Sequence, residues 1–228
     1  MNILFVITSH DQLGNTGRKT GFWVEEFAAP YYTFKDNGYA ITIATPKGGQ
    51  APIDPSSEAE SAQTGATERY YKDLETQNLI AHTHPLSEMK ASDFDAVFYP
   101  GGHGPLWDLA NDTNSAKLIL DFYNSGKPVG AVCHAPGVFK NVTFENGDPF
   151  VKGKNVTGFS NSEEEAVQLT EVVPFLVEDE LQKLGGHYTK GADWGVHVVE
   201  DGLLITGQNP ASSEAVAEKI MSLLKNKF

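Results

Sequence analysis

The chain has 228 residues, of which 40% are hydrophobic and 21% charged, which is enough apolar sequence for the core of one α/β domain over residues 1–228. The formal net charge of −13 argues against nucleic acid and anionic membrane surfaces as partners. The single cysteine leaves no internal disulfide, and no basic leader precedes the first apolar run, so we expect a cytoplasmic protein.

Strands and helices alternate through the first half of the chain. Three apolar runs are typical of buried parallel strands, namely residues 3–8, 39–45 and 95–99. Two helices are predicted between them, over residues 21–38 and, more weakly, 67–82. Pro30 should kink or restart the first helix, because proline removes a helical hydrogen bond.

The first predicted helix carries a carboxyl group in an apolar setting. Glu26 lies four residues after Phe22 and three after Trp23, so its side chain shares a helix face with two aromatic rings. Solvated glutamates mostly lie on the opposite face, which makes Glu26 a candidate functional residue.

The second half of the chain continues the alternation. Helices are predicted over residues 106–123, either continuous or as two segments broken near residues 111–114, and over residues 173–184 and 211–224. Strands are predicted over residues 129–132, 156–160, 187–189, 196–200 and 203–206. This pattern predicts a mostly parallel sheet with both faces covered, and ligands of such sheets bind beyond the carboxyl ends of the strands.

The only cysteine stands at the end of a predicted strand. Cys133 follows the apolar run 129–132, and Pro136 is placed where a following helix could begin. A strand, a tight turn and a helix form a nucleophile elbow, which presents one side chain to the helix N-terminus. A thiol there can have a pKa below the ~8.5 of free cysteine. The alternative is that Cys133 is a small core residue.

A glycine-rich turn follows the strand over residues 95–99. In Gly101-Gly102-His103-Gly104 the backbone can approach a ligand closely. The amides of this turn and of His134 could form an oxyanion hole for an intermediate on Cys133. A simple tight turn is the alternative. Phosphate binding is not favoured, because no Gly-Lys-Ser/Thr follows.

A thiol nucleophile needs a base and a group that orients the base. His134 is adjacent to Cys133, although neighbours on an extended strand point to opposite faces and their contact depends on the turn. Glu163, Glu164 and Glu165 follow a predicted strand and are candidates for the orienting acid. Trp194, set between glycines, either lines a pocket or covers the core.

These motifs together resemble the PfpI-type superfamily, which is related to class I glutamine amidotransferases. The similarity extends over residues 3–212 and is greatest to the heat-shock chaperones that act as glutathione-independent glyoxalases (D-lactate dehydratases). Its motifs occur in this order: Lys19-Thr20-Gly21 leading to Glu26, Gly101-Gly102-His103-Gly104, Ala131-Val132-Cys133-His134, Thr157-Gly158-Phe159 leading to Glu164, and Thr206-Gly207 with Asn209-Pro210-Ala211-Ser212.

The resemblance implies a flavodoxin-like three-layer sandwich with Cys133 at a nucleophile elbow. It implies a triad of Cys133, His134 and Glu164, with Glu26 reaching the cysteine from the first helix and the amides of Gly102 and His134 as oxyanion donors. His103 and Trp194 are expected beside the substrate. Family members are commonly homodimers.

The implied activity is conversion of 2-oxoaldehydes such as methylglyoxal to 2-hydroxy acids such as D-lactate. No cofactor is needed, and we predict no metal, because the two-histidine and carboxylate site of larger relatives has no clear equivalent here. Three other functions stay open. They are a stress-related holdase for unfolded client proteins, a cysteine peptidase, amidase or deglycase, and a redox sensor.

Overall fold

A mostly parallel sheet of seven strands forms the centre of the protein, whose computed structural model describes residues 1–226. In spatial order the strands are β3 (His84–Pro85), β2 (Ala40–Thr45), β1 (Asn2–Val6), β4 (Ala96–Tyr99), β5 (Val129–Val132), β9 (Leu204–Gly207) and β8 (Val198–Asp201). Only β8, at one edge, pairs antiparallel. Two further strands, β6 (Asn155–Val156) and β7 (His187–Tyr188), form a separate parallel pair.

Helices cover both faces of the sheet. Within the described chain they are α1 (Val24–Asp36), α2 (Gly65–Lys72), α3 (Leu74–Ala81), α4 (Thr113–Asn124), α5 (Asn161–Ala166), α6 (Val177–Lys183) and α7 (Ser213–Lys225). Alternate residues of β1 enter different cores, as the strand period requires. Ile3 and Phe5 pack with α1 and α7, whereas Leu4 and Val6 belong to the core under α4 and α6. The predicted three-layer sandwich is confirmed.

Helix α1 continues without interruption through Pro30, so the predicted restart is wrong, whereas a kink stays a prediction. Proline inside a helix costs ~3 kcal/mol. Burial of aromatic side chains offsets this cost, since both Phe27 and Phe34 are fully buried and pack edge-on against Phe5. The helix ends before Gly38, which adopts a φ of +80°. The first turn of α1 is thereby fixed close to the sheet, and this turn carries Glu26.

Polar caps divide two of the predicted helices. The helix predicted over residues 67–82 is α2 followed by α3, because Asp73 accepts a hydrogen bond from the amide of Thr76 and starts a new helix. The helix predicted over residues 106–123 begins as two 3₁₀ turns, and Asp112 caps α4.

The segment after β5 differs from the predicted elbow helix. Residues Ala135–Asn141 form a 3₁₀ helix, which has fewer residues per turn and poorer hydrogen-bond geometry than an α-helix. In residues 1–226 no helix combines the length and the apolar character needed to span a bilayer.

Candidate active site

Cys133 occupies a strained turn at the carboxyl end of β5. Its φ is +62°, a left-handed value that non-glycine residues rarely adopt. The turn is held on both sides, because the Cys133 amide donates to the carbonyl of Gly207 (2.9 Å) and the Cys133 carbonyl accepts from the amide of Phe159 (2.8 Å). The side chain is 3% exposed. The elbow geometry is the one expected from the sequence, and the sulfur lies at the inner end of the site.

The turn brings His134 against its neighbour. His134 Nδ1 lies 3.3 Å from Cys133 Sγ, and His134 Nε2 lies 2.6 Å from Glu164 Oε2. A carboxylate only accepts hydrogen bonds, so the network assigns the imidazole proton to Nε2 and leaves Nδ1 free to accept the thiol proton. The three side chains therefore form a connected cysteine, histidine and glutamate array.

The three glutamates that follow β6 point to three different places. Glu164 is buried and meets His134, whereas Glu165 is exposed. Glu163 is also buried, but its carboxylate binds the backbone of Trp194 and the side chain of Asn209. Of the three candidates left open by the sequence, only Glu164 contacts a histidine in the structure.

His103 joins the array through its side chain, a role that sequence reasoning missed. Its Nε2 lies 2.7 Å from Glu164 Oε1, and its ring lies 3.9 Å from that of His134, centroid to centroid. Two imidazoles thus share one carboxylate, one on each oxygen. A histidine directly after a Gly-Gly turn at a strand end is the signal that could have suggested this placement.

Glu26 reaches the thiol from α1. Its Oε2 accepts the amide of Gly101 at 2.6 Å. Its Oε1 is buried and has no hydrogen-bond partner within residues 1–226, and the thiol of Cys133 is among the groups that act on this carboxyl. Burial raises the pKa of Glu26 to about 8, against the lowering effects of the Cys133 thiol and the Gly101 amide. The carboxyl is consequently protonated at neutral pH and can donate to the sulfur.

The resting thiol is not the acidic one that the sequence suggested. Burial, followed by the nearby carboxyl group of Glu26, raises the pKa of Cys133 above that of a free thiol. The expectation of a lowered pKa is therefore wrong for the resting site. Formation of the thiolate requires that a neighbouring base takes the proton.

His134 is suited to act as that base. Burial, and next the neighbouring His103, lower the pKa of His134, although Glu164 acts in the opposite direction. The ring is therefore neutral at pH 7 with Nδ1 unprotonated. Burial opposes ionisation of Glu164, but His134 and His103 outweigh it and lower the pKa of this carboxyl. The carboxylate remains charged and stabilises an imidazolium when one forms.

The glycine turn after β4 presents backbone amides to the site. Gly102 has a φ of +90°, and a Cβ there would meet the carbonyl of Gly21, so only glycine fits. The amide of Gly101 is taken by Glu26. Those of Gly102 and His134 donate to no acceptor within residues 1–226. Both remain available for an oxygen bound near the sulfur.

A cavity of about 450 Å³ lies at the start of α1, and its lining does not include Cys133, His134 or Glu164. Its walls include Trp23 and Glu25, on either side of the start of α1, and Trp194, Asn209 and Pro210 on the opposite side. The Trp194 ring is 48% exposed and packs edge-on against Phe159 at 5.8 Å. The ring of Phe159 in turn lies 4.1 Å from that of His134. Trp194 thus lines a pocket next to the site.

One group of side chains has the composition of a metal site. The possible ligand atoms of His103, His134 and Glu164 all lie within 4.8 Å of one another. Both imidazole Nε2 atoms, however, already donate to the carboxylate oxygens. A metal ion would have to replace both protons, so the absence of a metal stays our prediction.

Comparison with known proteins gives one consistent result. The family model that matches the chain, over residues 19–223, is the DJ-1/PfpI family. Glutathione-independent glyoxalase HSP31 of Saccharomyces cerevisiae is 30% identical, with 98% of each chain covered. Glyoxalase 3 of Candida albicans is 28% identical over 97% of this chain and 98% of that protein.

Solved structures of similar proteins share the fold over nearly the whole chain. The Rapid Encystment Protein 24 KDa of Francisella tularensis superimposes with a TM-score of 0.94 at 38% identity, covering 98% of both chains. Glyoxalase III from Candida albicans gives a TM-score of 0.90 at 28% identity, over 98% of this chain and 97% of that one. With the model match spanning most of its length, this chain belongs to the DJ-1/PfpI family.

Proposed function

We propose that the protein is a glutathione-independent glyoxalase, which converts 2-oxoaldehydes such as methylglyoxal to 2-hydroxy acids such as D-lactate. Relatives that match nearly the whole chain carry this activity in their names. Cys133 would be the nucleophile, His134 the base, Glu164 the residue that orients His134, and Glu26 the group that moves protons on the substrate.

The observation that carries the proposal is the buried carboxyl of Glu26 against the thiol. A hydrolase needs only a nucleophile, a base and oxyanion donors. A glyoxalase must also move a hydrogen between adjacent carbons, for which an acid with a pKa near the working pH is best suited. Glu26, whose pKa is raised to about 8, supplies this additional function.

The first step forms a hemithioacetal. His134 Nδ1 takes the proton of Cys133, and the sulfur adds to the aldehyde carbon, forming the C–S bond while the carbonyl electron pair moves to oxygen. The amides of Gly102 and His134 are placed to stabilise this oxyanion. Glu26 then gives its proton to that oxygen and becomes a carboxylate.

The second step transfers hydrogen between carbons. The Glu26 carboxylate removes the C–H proton from the carbon bonded to sulfur, while His134 gives its proton to the ketone oxygen, and an enediol results. Glu26 delivers the abstracted proton to the second carbon and recovers a proton from the first oxygen. The product is a 2-hydroxy thioester. One carbon is oxidised and its neighbour reduced, so no external electron carrier takes part.

Hydrolysis completes the cycle. Water adds to the thioester carbonyl, the C–S bond breaks, and the sulfur takes a proton. The 2-hydroxy acid leaves, and Cys133 and Glu26 are both protonated again. Overall, one 2-oxoaldehyde and one water give one 2-hydroxy acid.

The direct experiment is to incubate purified protein with methylglyoxal without glutathione and to measure lactate enantiomers. Wild type should form D-lactate, and Cys133→Ala should fall to background because no C–S bond can form. Glu165→Gln, an exposed change on the same helix as Glu164, is the matched control and should retain wild-type activity. Undiminished turnover in Cys133→Ala would end the proposal.

Homodimer formation, a cytoplasmic location and binding of unfolded clients are finer points of the same proposal. Sedimentation of the purified protein checks the first, and cell fractionation checks the second. Suppression of client aggregation by Cys133→Ala checks whether a holdase role is independent of the thiol.

A further inference from the structure

Glu163 is a buried carboxylate that the proposed mechanism does not use. It is 0% exposed and receives four hydrogen bonds, none from a cationic side chain. Its Oε2 accepts from the Ser160 amide (3.0 Å) and hydroxyl (2.8 Å). Its Oε1 accepts from the Trp194 amide (2.8 Å) and from Asn209 Nδ2 (2.9 Å). Because amide nitrogens can only donate here, the carboxylate is an acceptor at both oxygens.

These bonds connect three separate segments. The Ser160 bonds complete a capping box at the start of α5, the Trp194 bond fixes the loop between β7 and β8, and Asn209 belongs to the connection from β9 to α7. Asn209 Nδ2 also donates to the carbonyl of Gly195 (2.8 Å). Glu163 therefore joins the helix that carries Glu164 to the wall of the cavity.

The backbone at Trp194 has an unfavourable conformation that the hydrogen bond to Glu163 can stabilise. Its φ of +62° is left-handed, a conformation that costs roughly 1–2 kcal/mol for a residue with a Cβ. Its ring is half exposed and packs at its edge against Phe159, so ring packing alone holds it weakly. The hydrogen bond from its amide to Glu163 fixes the turn and with it the position of the ring at the cavity.

We propose that Glu163 is a positioning residue that sets the substrate preference of the site by holding the turn at Trp194, so that the indole ring forms a fixed wall for the substituent of the 2-oxoaldehyde. This inference rests on the proposed glyoxalase function. Methylglyoxal carries only a methyl group and touches little of a 450 Å³ cavity. A 2-oxoaldehyde with an aromatic substituent, such as phenylglyoxal, would contact the tryptophan.

The experiment compares kcat and KM for phenylglyoxal and methylglyoxal in wild type and four variants. Glu163→Leu keeps the side-chain volume but removes both acceptors, and Trp194→Ala removes the wall itself. Ser160→Ala is the matched control, because it weakens the capping box and leaves the bonds of Glu163 to Trp194 and Asn209 in place. The double variant Glu163→Leu/Trp194→Ala tests whether the two residues act together.

An aromatic contact of this kind corresponds to a change of up to about tenfold in relative kcat/KM. We expect Glu163→Leu and Trp194→Ala each to lower the phenylglyoxal-to-methylglyoxal ratio by about tenfold through KM. In both variants the loss should appear in the KM for phenylglyoxal more than in its kcat, because the ring would contact the substituent and not the reacting carbons. The double variant should match Trp194→Ala alone, and Ser160→Ala should keep the wild-type ratio.

Hydrogen exchange of residues 191–197 provides a readout that does not depend on turnover. It should be faster in Glu163→Leu than in wild type and unchanged in Ser160→Ala. An unchanged substrate ratio in Trp194→Ala, or equal kcat losses for both substrates in Glu163→Leu, would overturn the inference. If Glu163→Leu does not fold, the isosteric Glu163→Gln, which loses one acceptor oxygen, replaces it in both the kinetic and the hydrogen-exchange measurements. A wild type inactive on both substrates would refute the proposed function. The hydrogen-exchange data would still test, without any turnover, whether Glu163 stabilises the turn at Trp194.

Discussion

The imidazole rings of His103 and His134 lie 3.9 Å apart, centroid to centroid, with 39° between their planes. Each ring binds one oxygen of the same carboxylate, that of Glu164. The carboxylate holds both rings in place, while His103 disfavours a positive charge on His134. His103 thus helps to keep His134 neutral, the form that can accept a proton from Cys133.

Replacing His103 should change the pH dependence of turnover. The pKa of His134 is lowered by burial and by His103, so wild type should stay active to pH values below the ~6.5 of free histidine. His103→Gln removes the second ring and keeps a donor for Glu164. The pKa of His134 should rise, and the acidic limb of kcat/KM against pH should move to higher pH.

A pH profile of methylglyoxal turnover checks this prediction. At pH 7.5 we expect His103→Gln to lose about tenfold or less, a typical effect of a positioning partner. Glu164→Gln, which loses the charge that stabilises the imidazolium, should lose roughly a hundredfold or more. An acidic limb that stays in place or moves to lower pH in His103→Gln would contradict the assignment.

The buried carboxyl of Glu26 should make the protein less stable at higher pH. Its pKa is about 8 in the folded chain, against an ordinary value of 4.5. Below pH 4.5 the group is protonated in both states. Between pH 4.5 and 8 the unfolded chain ionises while the folded chain keeps its proton, so this contribution to stability is lost as pH rises. At about 1.4 kcal/mol per pKa unit the full loss is on the order of 5 kcal/mol.

Glu26→Gln removes this titration and keeps an acceptor for the amide of Gly101. Urea unfolding of both proteins at pH 5 and pH 8 gives the comparison. The variant should gain stability relative to wild type between these two pH values, and it should have lost methylglyoxal turnover. A difference between the two proteins that is independent of pH would mean that Glu26 is ionised in the folded protein.

The backbone pattern predicted that Cys133 and the glycine turn lie close together, because strand ends meet at one edge of a parallel sheet. Cys133 follows β5 and Gly101 follows β4, and these strands are neighbours, so their turns had to be close. Periodicity made Glu26 a candidate through its aromatic helix face, and Glu26 is on the buried face of α1. Its approach to Cys133 and the choice of Glu164 were implied by the resemblance to the family, not by periodicity.

The sequence did not allow us to predict the properties of site residues that depend on how deeply a side chain is buried and on the direction in which it points. The pKa of Cys133 is raised by burial and by the carboxyl group of Glu26, 107 positions earlier in the sequence. Neither cause can be inferred from the short motif around Cys133. The sequence also gave no direction for the side chain of His103, because the turn before it contains glycines with several accessible conformations. The role of Glu163 depends on a loop 31 residues away.

Gly101 should tolerate no side chain. A Cβ there would lie 2.6 Å from Glu26 Oε2, 2.8 Å from the carbonyl of Val132 and 3.0 Å from the amide of His134. Two of these atoms are backbone and cannot withdraw, so Glu26 must move away from Gly101 and the thiol. Gly101→Ala should therefore lose methylglyoxal turnover by about a hundredfold or more, as displaced catalytic groups do.

Gly65→Ala is the matched control for that substitution, because its Cβ would meet no atom within 4 Å. It should keep wild-type turnover and unfold at an equal or higher temperature, since alanine favours a helix more than glycine does. Near-wild-type activity in Gly101→Ala, measured with the same methylglyoxal assay, would show that the contact between Gly101 and Glu26 is dispensable.

Removal of metal ions should leave the activity unchanged. The two Nε2 atoms and the carboxylate of His103, His134 and Glu164 are close enough to hold a cation, but they are already joined by hydrogen bonds of 2.7 and 2.6 Å. A cation would replace both N–H protons, and it would bind the Glu164 carboxylate whose negative charge orients His134. Prolonged dialysis against EDTA should therefore preserve methylglyoxal turnover, and added Zn²⁺ should inhibit it. Lost activity after EDTA treatment, restored by one metal ion, would instead identify these three side chains as a metal centre.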